Sequence, residues 1–196
     1  MGYSKNMPQS TLKHALVLGL GAFFLAIVLS LLSQSLLSKI KSIFPALLLL
    51  LIIVLLGIVF DIIGTAVTKA SESAFHAKAA RKITGAKEAV ALAKNADKVA
   101  SFCNDVVGDI SGTLSGAIGV AIVIRLASWG LGLPEVLLST LMTASIAGIT
   151  IGGKGLGKNY ALREAEAIIF KVGQLIAFLS RGIFLSQNRK APKRGK

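Results

Sequence analysis

The sequence predicts an all-α integral membrane protein with four transmembrane helices, a cytoplasmic juxtamembrane amphipathic helix and a C-terminal amphipathic helix. Composition is the first reason. Of the 196 residues 54% are hydrophobic and only 16% charged, with a mean hydropathy of +0.73, whereas soluble domains carry about 25% charged residues. The second is a set of four long apolar runs separated by basic or glycine-rich stretches. The third is length, since four spans of roughly 20 residues fill most of the chain and leave no room for a separate globular domain.

Residues 1–14 form a short cytoplasmic N-terminus, and the polytopic membrane domain follows over 15–157. The first span covers 15–37, with Lys13 and His14 before it and Lys39 and Lys41 after. Its apolar stretch exceeds the h-region of a signal peptide and no small-x-small cleavage site follows, so it is expected to stay. The second span, 44–68, contains ALLLLLIIVLLGIVF. Residues 73–94 carry Phe75, Ala79, Ile83, Ala86, Val90 and Ala93 at intervals of three to four, with Lys78, Arg81, Lys82 and Lys87 mostly off that stripe. That pattern predicts a juxtamembrane helix lying in the inner interface. The third span, 99–127, is weakened by polar residues, and the fourth, 136–151, is entered through Pro134 and Glu135, since proline is tolerated at a helix start.

The stretch 158–187 reads as an amphipathic cytoplasmic or interfacial helix, with Leu162, Ala165, Ile169, Val172, Ile176, Leu179 and Ile183 on one stripe. A fifth crossing over 160–186 is the alternative, but it exports a basic tail. Residues 188–196, NRKAPKRGK, have no apolar periodicity and read as a disordered tail. Positive loops are retained in the cytoplasm, and a topology with both termini inside leaves only Lys39, Lys41 and Arg125, of 22 Lys and Arg, on the outer side. The net charge of +13 then serves retention and attraction to an anionic inner leaflet of the cell membrane. Nucleic-acid binding is not expected, because the basic residues lack interleaved aromatics.

The third span opens with SFCNDVVGDISG over 101–112. On a regular helix Ser101, Asp105 and Asp109 fall on one side, and Asn104, Gly108 and Ser111 on the adjoining line. In the second span Gly57, Asp61, Thr65 and Thr68 recur at the same interval, with Gly64 beside them. An ionised Asp facing lipid at mid-membrane costs ~2.5–3.5 kcal/mol on insertion scales, so these acids must face one another or water. Acids surrounded by hydroxyl and amide oxygens, with no imidazole or thiolate, match a site for a hard cation such as Mg2+ or Ca2+, or a proton relay. The candidate metal residues are Asp61, Gly64, Thr65, Ser101, Asn104, Asp105 and Asp109. An intramembrane ion pair with a lysine or arginine is the structural alternative. Gly108, Gly112 and Gly116 form a small-xxx-small ladder that allows close helix packing.

Laid end to end, GTAVT (64–68), GAKEAVALAKNADKVAS (85–101) and the following NDVVGDISG resemble the transmembrane domain of the cyclin-M / CorB / CorC family of magnesium transporters. The resemblance covers about half the chain. In the family the first break reads Ser-Gly-Ser-Glu, and a second region runs from Asn-Pro-Asp and a Ser to Gly-Asn-Asn. Gly64 and Thr65 match the Gly-Ser of the break and Ala66 stands at its glutamate, or Ser71 and Glu72 do so in a second register. Ser101 matches the serine and Asp105 is placed like a ligand, while Val106, Val107 and Gly108 replace Gly-Asn-Asn. The family's paired cytoplasmic regulatory domains are absent, and the first span is additional to its three-span core. The resemblance implies Mg2+ as substrate and a homodimer, which the few spans and the glycine face of the third also favour.

Other patterns carry no chemistry. GITIGGKG (148–155) has the spacing of a phosphate loop but lacks the Ser or Thr that follows its lysine and succeeds no strand; a flexible glycine-rich helix exit accounts for it. Ser38 and Lys41 lack supporting groups for hydrolysis. His14 and His76 flank different spans, Cys103 is a lone thiol, and Trp129 fits an aromatic belt. No catalytic residue and no cofactor is expected. Two functions remain: divalent-cation transport, with Mg2+ as substrate, or a non-transporting membrane scaffold or regulatory partner.

Overall fold

The computed structural model describes residues 9–40, 42–130 and 133–189. The expected N-terminal segment is therefore described only from Gln9 and the expected basic tail only to Arg189; residues 1–8 and 190–196 lie outside the described residues. Among the described residues there is no strand. The helices are α1 (Gln9–Lys39), α2 (Ile43–Lys69), α3 (Glu72–Ala80), α4 (Ala86–Lys94), α5 (Ala96–Ser101), a π-helix (Phe102–Gly108), α6 (Asp109–Ser128), α7 (Glu135–Arg163) and α8 (Ala165–Arg189). Four stretches are long and apolar enough to cross a bilayer: Gly19–Lys39, Ile43–Lys69, Ala96–Ser128 and Glu135–Arg163. The protein is thus an all-α, multi-pass membrane fold, and α8 is not among these four.

Local chemistry sets the helix boundaries. Pro45 lies in the first turn of α2, where its missing N–H has no partner to lose. Pro134 precedes α7, and its carbonyl accepts from the N–H groups of Leu137 and Leu138 at 3.0 and 3.2 Å. Glu135 then sits in the first turn, favoured by the helix dipole.

The segment expected as one juxtamembrane helix over 73–94 is instead two helices, α3 and α4. Lys82 at φ 55° ends α3, with Ile83 N–H donating to Lys78 O at 3.1 Å and Lys82 N–H to Ala79 O at 2.9 Å. These are the two bonds of a Schellman cap, which terminates a helix. Gly85 at φ 85° starts α4, and a Cβ there would lie 2.5 Å from the backbone nitrogen of Gln174. Both backbone conformation and space demand glycine at this position. A hydrophobic stripe can continue in register across such a break, which is why periodicity alone reads it as one helix.

The chain folds as two compact units, one reaching to Gly57 and resuming over Val106–Gly152, the other formed by Ile58–Asp105 and the chain from Gly153 on. In the first unit α6 buries Ile110, Leu114, Ile118 and Ile122 together with Ser111 and Ser115. Gly57 of α2 meets Ser111, with 3.0 Å between a built Cβ and the serine Cβ, and Gly119 receives Met142 and Ile146 of α7. Arg125 donates to the Leu37 carbonyl at 2.7 Å and also to that of Ile40, closing orphan carbonyls at the end of α1 with a cation. Leu20, Phe23, Phe24, Leu48, Leu55 and Leu141 are exposed, as surfaces must be that contact acyl chains instead of water.

In the second unit Ala66, Val67, Phe75, Ala89, Ala100, Ala161, Ala165 and Ile169 form one buried cluster. Helix α8 docks on α4 through small residues: a Cβ at Gly173 would fall 2.4 Å from Gly85 O and 2.9 Å from Ala89 N. Lys78 adds an ammonium 4.3 Å from the Phe170 ring centroid. The buried line of α8 is therefore Ala165, Ile169, Gly173 and Ala177, whereas Ile176 and Leu179 of the expected stripe are exposed. Small residues win the inner face because the α4 backbone comes so close.

Candidate functional site

Helix α2 carries Asp61 and, one turn further, Gly64 and Thr65. The Asp61 Oδ1 lies 3.2 Å from the Lys154 Nζ of α7, and the two side chains are only 20% and 30% exposed. Residue spacing allows an ion pair as the alternative for these acids but leaves Lys154 to cytoplasmic retention, beyond a span ending at 151. The helix does not end there. It runs on to Arg163, and of the glycines that read as a flexible exit Gly153 is packed, as is Gly157 just beyond them, whereas Gly148, Gly152 and Gly155 meet nothing within 4 Å of a built Cβ. Built Cβ atoms at Gly153 and Gly157 would lie 2.4 Å from Ile58 Cδ1 and 2.6 Å from Ile62 Cγ1. Close backbone approach replaces the side-chain contacts that glycine lacks. The signal available in the sequence is a shared interval of four, Ile58 to Ile62 against Gly153 to Gly157, with Asp61 and Lys154 inside it.

Gly64 faces Asn104. A Cβ on Gly64 would come within 2.1 Å of the Asn104 Oδ1, and that oxygen is buried without a hydrogen-bond partner among the described residues. Thr65 is half-buried, its carbonyl accepting from Thr68 Oγ1 at 2.8 Å. Asn104 reaches this position from the π-helix Phe102–Gly108. Its i→i+5 bonding shifts the side-chain register relative to a regular helix, so the single polar face drawn with 3.6-residue spacing does not persist. Cys103, Val106, Gly108 and Ile110 turn inward while Asp105 and Asp109 are exposed.

Asp105 Oδ2 accepts from Ser101 Oγ at 2.7 Å, a pairing one turn apart on the helix surface. The Asp109 backbone carbonyl accepts from Thr113 Oγ1 at 2.9 Å, and its carboxylate makes no hydrogen bond among the described residues. The structure thus brings Asp61, Gly64 and Asn104 into buried or half-buried positions at helix contacts and leaves Asp105 and Asp109 exposed. Among the described residues no three His, Cys, Asp or Glu side chains are grouped to hold a metal ion. Any hard cation bound here would rely on one carboxylate, an amide oxygen, hydroxyls and water, a sparse set typical of ions that keep much of their hydration.

Of the packing glycines, Gly108 is buried, whereas Gly112 and Gly116 are exposed with nothing within 4 Å of a built Cβ. Within the chain Ser111, Ser115 and Gly119 form the packed line of α6. A groove of about 310 Å³ in the first unit is lined by Ser30, Ser33, Gln34, Ser38 and Arg125; its one charged group is a cation and it offers no carboxylate. His76 pairs with Glu72 at 3.2 Å on the surface of α3, and Cys103 is a buried free thiol. The chain matches no known family model, no curated protein and no solved structure.

Proposed function

We propose that this membrane protein carries a divalent cation, with Mg2+ the leading candidate, across the cell membrane past Asp61 and the Gly64–Asn104 contact one turn along α2. One observation carries the reading: Asn104 Oδ1 is a buried acceptor with no donor, held against the backbone of Gly64 one turn from the Asp61 carboxylate. An unsatisfied buried acceptor costs ~1–3 kcal/mol, and an oxygen-seeking cation or its water shell removes that cost. Thr65, Ser101 and Asp105 supply further oxygens along the route. The resemblance to the cyclin-M / CorB / CorC transmembrane domain supports the same substrate class. With both termini cytoplasmic, the basic segments lie against an anionic inner leaflet, and a second copy of the chain packs on the open glycine face of α6.

The test is Mg2+ flux into proteoliposomes. Asp61→Asn and Asn104→Ala are expected to lower the initial rate by at least about tenfold, as loss of a charge-assisted ligand interaction worth about 1.5–3 kcal/mol implies. Rates equal to wild type in both variants would end the proposal. A non-transporting scaffold is the second reading, and the Asp61–Lys154 pair favours it, because that pair compensates the carboxylate with no metal at all. Wild-type vesicles that move no Mg2+ would make the scaffold the leading account.

A further inference from the structure

We infer that Lys154 is a tethered counter-ion, occupying Asp61 when the site is empty and competing with the transported cation for that carboxylate; this rests on the carrier reading above. The pair is built by the fold. Asp61 lies between Ile58 and Ile62 on α2, Lys154 between Gly153 and Gly157 on α7, and each glycine receives one of those isoleucines within 2.6 Å of where a Cβ would stand. A side chain at either glycine displaces the isoleucine seated on it and disturbs the packing that sets the ammonium beside the carboxylate. Two glycines at these positions therefore fix where the charge is delivered.

The chemistry of the partner fits exchange better than permanent fastening. Lysine presents a compact point charge on a flexible four-carbon stem, whereas arginine's planar fork locks a carboxylate through two parallel hydrogen bonds. Only Asp61 Oδ1 is engaged, at 3.2 Å. The second carboxylate oxygen makes no hydrogen bond among the described residues and is open to an incoming cation. Lys154 is 30% exposed and is followed on α7 by Lys158 and Arg163, so its ammonium has a polar end of the helix toward which to swing when displaced, as lysine stems permit. The carboxylate is then compensated in both states, by the ammonium when empty and by the metal when loaded. A cation that cannot displace the ammonium is rejected, which makes the lysine a determinant of selectivity as well as of stability.

The experiment is a Mg2+ titration of thermal stability with the full chain in lipid nanodiscs. Lys154→Gln is expected to lower the half-saturating Mg2+ concentration by about tenfold, within the usual range of coupling between two ligands for one protein. Lys154→Arg is expected to raise it, and the double variant Asp61→Asn/Lys154→Gln to lose the response. In the wild-type protein, Mg2+ is expected to increase acylation of Lys154 by an amine-directed reagent, read by mass spectrometry. Unchanged or raised half-saturation in Lys154→Gln, with a wild type that still responds, overturns the inference and leaves the carrier reading standing. If Lys154→Gln does not fold, the acylation decides: labelling unaffected by Mg2+ overturns the inference, and increased labelling supports it. A wild type with neither a Mg2+-dependent shift nor flux overturns both.

Discussion

At Gly64 the helix surface is filled by another residue's side chain. The Asn104 carboxamide occupies the space of a Cβ, with Oδ1 2.1 Å from where that carbon would stand. An added methyl must push the amide away, because the α2 backbone behind it has nowhere to yield. Gly64→Ala is therefore a probe of the site that leaves every charge in place. Insertion of one carbon into a packed contact costs ~1–3 kcal/mol, so the variant is expected to fold with a modestly reduced melting temperature while losing Mg2+ flux. Wild-type flux would mean that the position of the carboxamide is immaterial. Asp61 stands out in the sequence because a carboxylate in a span demands explanation, and Gly64 because it lies beside the same polar recurrence. Lys154 does not, since a lysine near the end of an apolar run has an ordinary reading as a retention charge, and its partner lies on a distant helix. Asn104 is legible as a site residue, but its direction depends on a π-helix that residue spacing does not reveal.

Hydropathy makes the four membrane-length helices visible because length and composition alone decide whether a helix can cross a bilayer. Their ends and the smaller helices depend on other forces. The break at Lys82–Gly85 is set by a left-handed cap and by the approach of α8, and the continuation of α7 past Ile151 by glycines seated on Ile58 and Ile62. A glycine-rich stretch reads as an exit when its packing partner is unknown. Helix α6 illustrates the same point through its two faces. Its serine face is used within the chain, while Gly112 and Gly116 meet nothing. In lipid, small residues on an open face favour close association with another helix, and a closed two-fold dimer is the commonest way for identical chains to use one. Leucine at Gly112 or Gly116 fits easily in the monomer, so neither change is expected to disturb folding, but each is expected to reduce cross-linked dimer in bilayers severalfold. A wild-type protein that is monomeric at every protein-to-lipid ratio would refute the dimer.

Most of the positive charge falls in the second unit. Among the described residues every Lys and Arg from Lys69 to Lys98 and from Lys154 to Arg189 belongs to it, whereas Lys13, Lys39 and Arg125 belong to the first. The second unit also contains the short helices α3 and α4 and the amphipathic α8, which share the buried cluster around Phe75 and Ile169. A bilayer has no place for such helix ends within its hydrocarbon, where backbone groups must be paired, and the positive-inside bias is expected to hold the loop of residues 69–98 in the cytoplasm. In that expected orientation Asp61 would lie nearer the inner surface than the outer, because it falls eight residues before Lys69, about 12 Å along a helix rising about 1.5 Å per residue. Single cysteines at Ser42, Lys82, Leu133 and Glu166, in a background with Cys103→Ser, distinguish the arrangements. A membrane-impermeant maleimide applied to intact cells is expected to modify only the cysteines at 42 and 133, and those at 82 and 166 only after permeabilisation. Modification at 82 without permeabilisation would invert the topology, place Asp61 near the outer surface, and reverse the side from which a cation first meets the Asp61–Lys154 pair.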